Sequence, residues 1–277
     1  MNLVELTAEE FERFCHLIYK VSGIKVPPTK RVMVSNRLRR RLRATNLNGF
    51  SEYYAFLTSP AGAAEMPHFL DEITTNETYF YRDVHHFDWF GQSFLPEMEQ
   101  AARLRRRPKT LRVWSAAAST GEELYSLALR LAPMRPQFPG WQITLLGTDI
   151  SNAVLATARA GSYDDRAVRL VKVEERQRYF DHDPAAQRWT LKPEIRSMAT
   201  WKLHNLLAPM KDGPFDCVFI KNVLIYFDAR SKQTVVNHLI ESLAKGGYLV
   251  VGPTEGVYSM LGPLEKIKHW LYRRPAA

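Results

Sequence analysis

Three apolar runs in this sequence end abruptly in small or polar residues, and each could carry chemistry at the end of a strand. The first is VWSAAASTGEE, in which Ser115, Ala116, Ala117, Ala118, Ser119 and Gly121 leave the backbone open to close approach by a ligand. Small residues also let a helix pack against a strand, so this loop alone leaves both uses open. It is not G-x-G-x-x-G, and its single glycine argues against a clamp for a dinucleotide pyrophosphate. The second run is LLGTDIS, which puts Asp149 at a strand end where a carboxylate can accept both hydroxyls of a ribose. Capping of the helix beginning at Asn152 is the alternative use, although Ser151 can cap by itself. The third run, FDCVFIKNVLIYF, brings Asn222 and Tyr226 to the same edge.

These residues meet only if their strands lie side by side and parallel. From about residue 110 the chain alternates strand patterns (TLRVWSAAA, WQITLLGTDI, FDCVFIKNVLIYF, GYLVVG) with helical ones (EELYSLALRLA, SNAVLATARAG, SKQTVVNHLIESLA). Such alternation predicts an α/β fold, a Rossmann-like doubly wound parallel sheet with helices on both faces and all ligand loops on one edge. Between Asp164 and Thr200 the alternation fails. There RYF, RWTL and MATWKL predict short antiparallel strands, a β-subdomain inserted at about 165–200.

Residues 1–60 read as an all-α domain. Thr7 and Glu10 form a capping box ahead of Phe11, Phe14, Leu17 and Ile18, and Gly23 with Pro27-Pro28 ends that helix. A second helix, about Lys30 to Ala44, has a narrow apolar stripe of Val34, Leu38 and Leu42; Arg37, Arg39, Arg40, Arg41 and Arg43 cover the rest of its circumference. An aromatic helix follows Asn48-Gly49. Ser59-Pro60-Ala61-Gly62 then opens an expected linker over 61–75, leaving 76–277 for the α/β domain.

Composition narrows the classes. Hydrophobic residues are 45% and charged residues 24%, the balance of a soluble globular protein. No run of about 18 apolar residues is present to span a bilayer, and MNLVELTAEEFERF lacks the basic start and unbroken apolar stretch of a secretory signal. Cys15 and Cys217, far apart in apolar surroundings, read as buried thiols of a reducing compartment. No cluster has zinc-ligand spacing, and the adjacent His85-His86 reads as polar helix surface or cap. The net charge of +9 is uneven: nine basic residues and no acid lie between Lys20 and Arg43, which calls for a polyanionic partner. A second basic run, Arg103 to Lys109, reads as solvated surface.

In order along the chain, NRLRRRLRA (36–44), TTNETYFYR (74–82), VWSAAASTGEELYSLAL (113–129), GTDIS…VLATARAGSY (147–163), Asn205-Leu206 and FDCVFIKNVLIYFD (215–228) together resemble the chemotaxis receptor methyltransferases, the CheR family. That resemblance implies an all-α N-terminal domain joined to a class I S-adenosylmethionine-dependent methyltransferase domain with a small antiparallel β-subdomain. It implies methyl transfer from S-adenosylmethionine to glutamate side chains of chemotaxis receptors, leaving S-adenosylhomocysteine, without a metal. Carried over by motif, the cofactor-binding residues are Asn76, Thr78, Arg82, Glu123, Asp149, Asn205, Leu206, Lys221 and Asn222, and the catalytic ones Arg82 and Tyr226. The implied partners are acidic methylation helices of transmembrane chemoreceptors, met in the cytoplasm by a monomer whose Arg37, Arg39, Arg40, Arg41 and Arg43 dock them. Neither nucleic acid nor membrane insertion is implied.

Two positions depart from the family pattern. Lys221 stands where arginine is usual, and an ammonium cannot replace a forked guanidinium contact. DHDPAAQRW (181–189) lacks the glycines of the loop that docks a receptor tether in some members. Two rival classes are a nucleic-acid methyltransferase and a non-catalytic signalling adaptor. Asn222-Val223-Leu224-Ile225-Tyr226 lacks the Asn-Pro-Pro-Tyr common in enzymes that methylate amino groups of bases, which weakens the first; intact Arg82, Asp149, Asn222 and Tyr226 weaken the second.

Overall fold

The computed structural model describes residues 5–276. Four helices open the chain: α1 (Ala8–Ser22), α2 (Arg31–Thr45), α3 (Phe50–Leu57) and α4 (Met66–Ile73). The predicted capping box is present, Thr7 and Glu10 each bonding the other's backbone N–H, and Gly23 stops α1 at φ 75°. Phe14, Val34, Leu38, Tyr53 and Phe69 form one apolar core with no solvent exposure. The expected linker over 61–75 is therefore corrected. Its Pro-Ala-Gly start is a 3₁₀ turn whose Gly62 lies so close to the Phe56 carbonyl that no Cβ fits, and α4 then buries Phe69 and Ile73 in the helical core. The helical domain thus extends past residue 60 to Ile73.

Helix α2 is also less free than its arginines imply. Arg41 makes a two-pronged bond to Glu65 at 2.7 and 2.9 Å, and Tyr53 donates to the same carboxylate at 2.8 Å. Arg40 pairs with Glu72, and Arg37 donates to the Ile73 carbonyl and to Thr75 Oγ1. The acids that balance Arg41 and Arg40, Glu65 at the N-cap of α4 and Glu72 within it, lie 24 and 32 positions downstream, where no local charge count finds them.

The second domain comprises helices α5 (Val84–Trp89), α6 (Leu95–Arg103), α7 (Glu122–Leu131), α8 (Asn152–Ala160), α9 (Asp165–Val168), α10 (Val173–Tyr179), α11 (Pro193–Arg196) and α12 (Ala229–Ser242). Its strands are β1 (Thr110–Ala116), β2 (Gln142–Asp149), β3 (Ser162–Tyr163), β4 (Phe180–Asp183), β5 (Arg188–Leu191), β6 (Ala199–Leu203), β7 (Phe215–Ile220), β8 (Leu243–Val251), β9 (Glu265–Lys268) and β10 (Leu271–Arg273). The main sheet runs β6-β2-β1-β7-β8-β10-β9. Its first five members are parallel and β10 is antiparallel to both neighbours. The chain leaves β1 towards β2 and returns on the other side as β7, so the switch point lies beyond the carboxyl ends of β1 and β7.

The small sheet, β3-β5-β4, spans 162–191 rather than 165–200. MATWKL is not part of it: β6 pairs parallel with β2, because Trp201 packs against Gly147 and the Tyr125 ring. Within the small sheet the turn after β4 closes without glycine. Asp183 accepts the Ala185 and Ala186 amides, and Gln187 takes the left-handed conformation at φ 51°. The hairpin β9–β10 has no counterpart in the sequence expectations, since EKIKHWLYR alternates too briefly to announce it.

Two surface expectations hold only in part: Arg103, Arg105, Arg106, Lys109 and His85 are exposed, whereas Arg107 and His86 turn inward. Arg107 leaves the basic run to pair with Asp216 at 2.8 Å at the amino ends of β1 and β7. His86 is fully buried against Trp270, with neither ring nitrogen hydrogen-bonded among the described residues. Burial, then the nearby Lys221, His85 and His269, push its pKa down to about 2. With the unfolded value near 6.5, the neutral ring contributes its full stability above that pH and loses it as pH falls below it. We predict that between pH 6.5 and about 5 His86 contributes a loss of up to about 1.4 kcal/mol per pH unit. His86→Phe should flatten that limb in denaturant titrations; an unchanged slope rejects the assignment.

Candidate active site

A cleft of about 580 Å³ lies between the carboxyl edge of the main sheet and the helical domain, a volume suited to a nucleoside-sized ligand. All ten residues carried over by motif line it: Asn76, Thr78, Arg82, Glu123, Asp149, Asn205, Leu206, Lys221, Asn222 and Tyr226. Of the five arginines assigned to docking, only Arg37 reaches it.

The loop after β1 forms the floor. Ala117, Ser119 and Gly121 have φ of 59°, 52° and 98°, and the Ala118 amide bonds the Thr148 carbonyl at 2.8 Å, tying the loop to β2. A side chain at Gly121 would strike Trp201 and Ala158. This backbone turns its Ser119 amide onto Asp149 Oδ2 at 2.9 Å, while Ser151 N–H bonds Oδ1 at 3.0 Å. Each carboxylate oxygen keeps lone-pair capacity for a further donor. Ser151, not Asp149, caps α8, which removes the capping alternative. Burial raises the Asp149 pKa, opposed by its backbone donors.

Lys221 is the electrostatic hub. Its side chain is 2% exposed, and Nζ donates to the Arg82 carbonyl at 2.6 Å. The same ammonium lies 3.3 Å from Asp83, as an ion-pair contact rather than an aligned hydrogen bond, and 3.5 Å from Glu123. Ser115 Oγ fixes the other Glu123 oxygen at 2.7 Å. The lysine side chain thus faces protein groups, so its departure from arginine is absorbed inside the fold. Arg82 itself is half-exposed on the wall, with one guanidinium nitrogen on the Glu77 carbonyl at 2.9 Å.

The helical domain supplies the roof. Asn205 Nδ2 donates to the Val21 carbonyl at 2.8 Å, the Lys25 amide bonds the Tyr226 carbonyl at 2.8 Å, and Tyr19 reaches Asp228 at 3.0 Å. Lys25, Lys30, Met33 and Arg37 extend the cleft outward, leaving its mouth basic. Sequence reasoning named Arg37, Asn205 and Tyr226 but gave no site role to Tyr19, Lys25, Lys30 or Met33, and it missed Glu255. This fully buried acid from the loop after β8 accepts the Asn222 and Leu224 amides. The only sequence signal was a lone Glu in an apolar, glycine-flanked stretch.

The donor set fits an adenosyl compound: a ribose-type acid (Asp149), an apolar wall (Leu206, Ile150), and a carboxylate and a guanidinium (Glu123, Arg82) for an amino-acid zwitterion. Fold and cleft together define an S-adenosylmethionine-dependent methyltransferase. The family model described as CheR methyltransferase, SAM binding domain, matches residues 76–271, and that described as CheR methyltransferase, all-alpha domain, matches residues 9–74. The chain belongs to the CheR methyltransferase family. It is 37% identical to a probable chemotaxis protein methyltransferase of Rhizobium etli, over 87% of this chain and 90% of the relative. It is 36% identical to the chemotaxis protein methyltransferase of Salmonella typhimurium (92% and 86%) and 37% identical to that of Escherichia coli (90% and 85%).

Because Lys221 balances two carboxylates in a buried setting, removing its charge leaves them uncompensated. Lys221→Met is expected to lower unfolding free energy by about 3 kcal/mol, measured by the denaturant midpoint. A loss below about 0.5 kcal/mol would show that the ammonium is not the hub.

Proposed function

We propose that this protein transfers the methyl group of S-adenosylmethionine to glutamate side-chain carboxylates of chemotaxis receptors, giving methyl esters and S-adenosylhomocysteine. The observation that carries this reading is the cleft itself: it joins a nucleoside-type site to a basic mouth lined by Lys25, Lys30 and Arg37, beside Tyr226. A nucleic-acid substrate is less well served, because the loop after β7 lacks the Asn-Pro-Pro-Tyr arrangement.

Asn76, Thr78, Glu123, Asp149, Asn205, Leu206, Lys221 and Asn222 would hold the cofactor, with Lys221 acting through its backbone and through Glu123. When bound, S-adenosylmethionine supplies a methyl carbon made electrophilic by its sulfonium. A glutamate carboxylate is ionised at neutral pH, since its ordinary pKa is about 4.3. The chain therefore needs no general base. Its residues have to hold the carboxylate in line and exclude water without desolvating it so completely that it protonates. Arg82 and Tyr226, which both line the cleft, are suited to orient that carboxylate. The basic mouth attracts acidic helices, and Arg39 and Arg43 on α2 extend that attraction outward, whereas Arg40 pairs with Glu72 and Arg41 serves the helical core through Glu65.

Incubated with methyl-labelled cofactor and receptor-containing membranes, the protein should give label that alkali releases as methanol; label stable to alkali would overturn ester formation. Arg82→Ala should cut turnover at least about tenfold, about 1.4 kcal/mol of barrier, and near-normal turnover at saturating cofactor would remove Arg82 from catalysis. Tyr226→Phe should lose less, and identical kinetics would leave Tyr226 as an aromatic wall. Receptor methylation should also fall steeply from low to high salt, because exposed charge attraction is screened; a flat rate rejects electrostatic docking.

A further inference from the structure

We infer that Glu255 is a positioning residue for the methyl-transfer cleft: its buried carboxylate fixes the backbone of the loop that presents Asn222 and Tyr226. Glu255 bonds that loop through backbone amides and stands outside the cleft lining. It is fully buried on the loop between β8 and the hairpin β9–β10. Its Oε1 accepts the Asn222 amide and its Oε2 accepts the Leu224 amide at 2.7 Å. Lys232 Nζ bonds the Glu255 backbone carbonyl at 2.7 Å rather than the carboxylate. The anion is thus met by successive amides of one short loop, an arrangement in which backbone donors take the place of a side-chain cation.

Those amides have a reason to converge. After β7 the chain must turn out of the sheet within a few residues, and it does so with Asn222 at φ 59°. Asparagine tolerates that left-handed conformation better than most residues, but the strain still has to be held by something else. Glu255 holds it. Gly252, at the end of β8, leaves the space: a Cβ there would come 2.7 Å from Glu255 Oε1, 3.2 Å from Lys221 Cα and 3.3 Å from the Asn222 amide. On the far side, the Lys221 side chain runs to Arg82 and Glu123. The loop is therefore gripped from below by an anion and from the side by a cation, and its cleft-facing residues follow.

This inference rests on the proposed reaction for its kinetic readout but not for its other two. Glu255→Gln keeps the shape while replacing one acceptor oxygen with a donor that faces an amide. The expected result, at a temperature well below the variant's Tm, is at least a tenfold loss of kcat/KM. Affinity for S-adenosylhomocysteine by calorimetry should weaken at least threefold, and hydrogen exchange should quicken at the amides of 222–225. Normal kinetics and normal S-adenosylhomocysteine affinity, even with a lowered Tm, would overturn the positioning role. Should Glu255→Gln fail to fold, Gly252→Ala decides: it keeps the carboxylate and crowds the same contact, and unchanged affinity and exchange there would likewise overturn the inference. If the wild-type chain transfers no methyl to receptor membranes, the proposed reaction falls alone, and the affinity and exchange measurements still judge Glu255.

Discussion

The architecture of this protein turns on how buried charges are satisfied along one edge of a parallel sheet. Asp149, Lys221 and Glu255 all lie at or near the carboxyl ends of β2, β7 and β8, and all are almost fully buried. Isolated ions in such places would neutralise or pull the structure open. Each is instead met by backbone: Asp149 by the amides of Ser119 and Ser151, Lys221 by the Arg82 carbonyl, Glu255 by the amides of Asn222 and Leu224. The charges therefore fix loop conformations, and the loops fix the cleft.

The same logic joins the two domains. The helical domain does not merely sit beside the sheet; its carbonyl at Val21 and amide at Lys25 bond Asn205 and the Tyr226 backbone, both cleft residues. Arg37 reaches from α2 to the Ile73–Thr75 segment that leads directly into Asn76 and Thr78. Asp71 on α4 accepts from Ser151, the cap of α8. A helix whose outer face carries arginines is thus tied, through its inner arginines, to the segment that walls the nucleoside site. Charge on α2 serves two purposes, and the direction each arginine points decides which.

Family membership and local geometry meet at the departure from the family's usual residues. Lysine at position 221 brings three donors on a single point, and the Arg82 carbonyl, Asp83 and Glu123 surround that point. A guanidinium would need a flatter and wider partner set. Likewise, the β4–β5 turn reaches its left-handed position with Gln187 in place of glycine, since Asp183 holds the two amides before it.

By itself the sequence determined the alternation of strands and helices, the capping of α1, the small-residue turn after β1 and the acid at the end of β2. These are local: they follow from side-chain period, cap chemistry and the sterics of one turn. It also named, by resemblance, ten residues that the tertiary structure gathers around one cleft. What only the tertiary structure decided are the long-range pairings. β6 left the small sheet for the main one because Trp201 fits over Gly147; the supposed linker became α4 because Phe69 and Ile73 have a core to enter; Arg41 and Arg107 turned inward because Glu65 and Asp216 wait there. Glu255 and the buried His86 belong to the same group. The energy that places each of these residues comes from partners far away in the chain, and no window along the sequence contains both halves of such a contact.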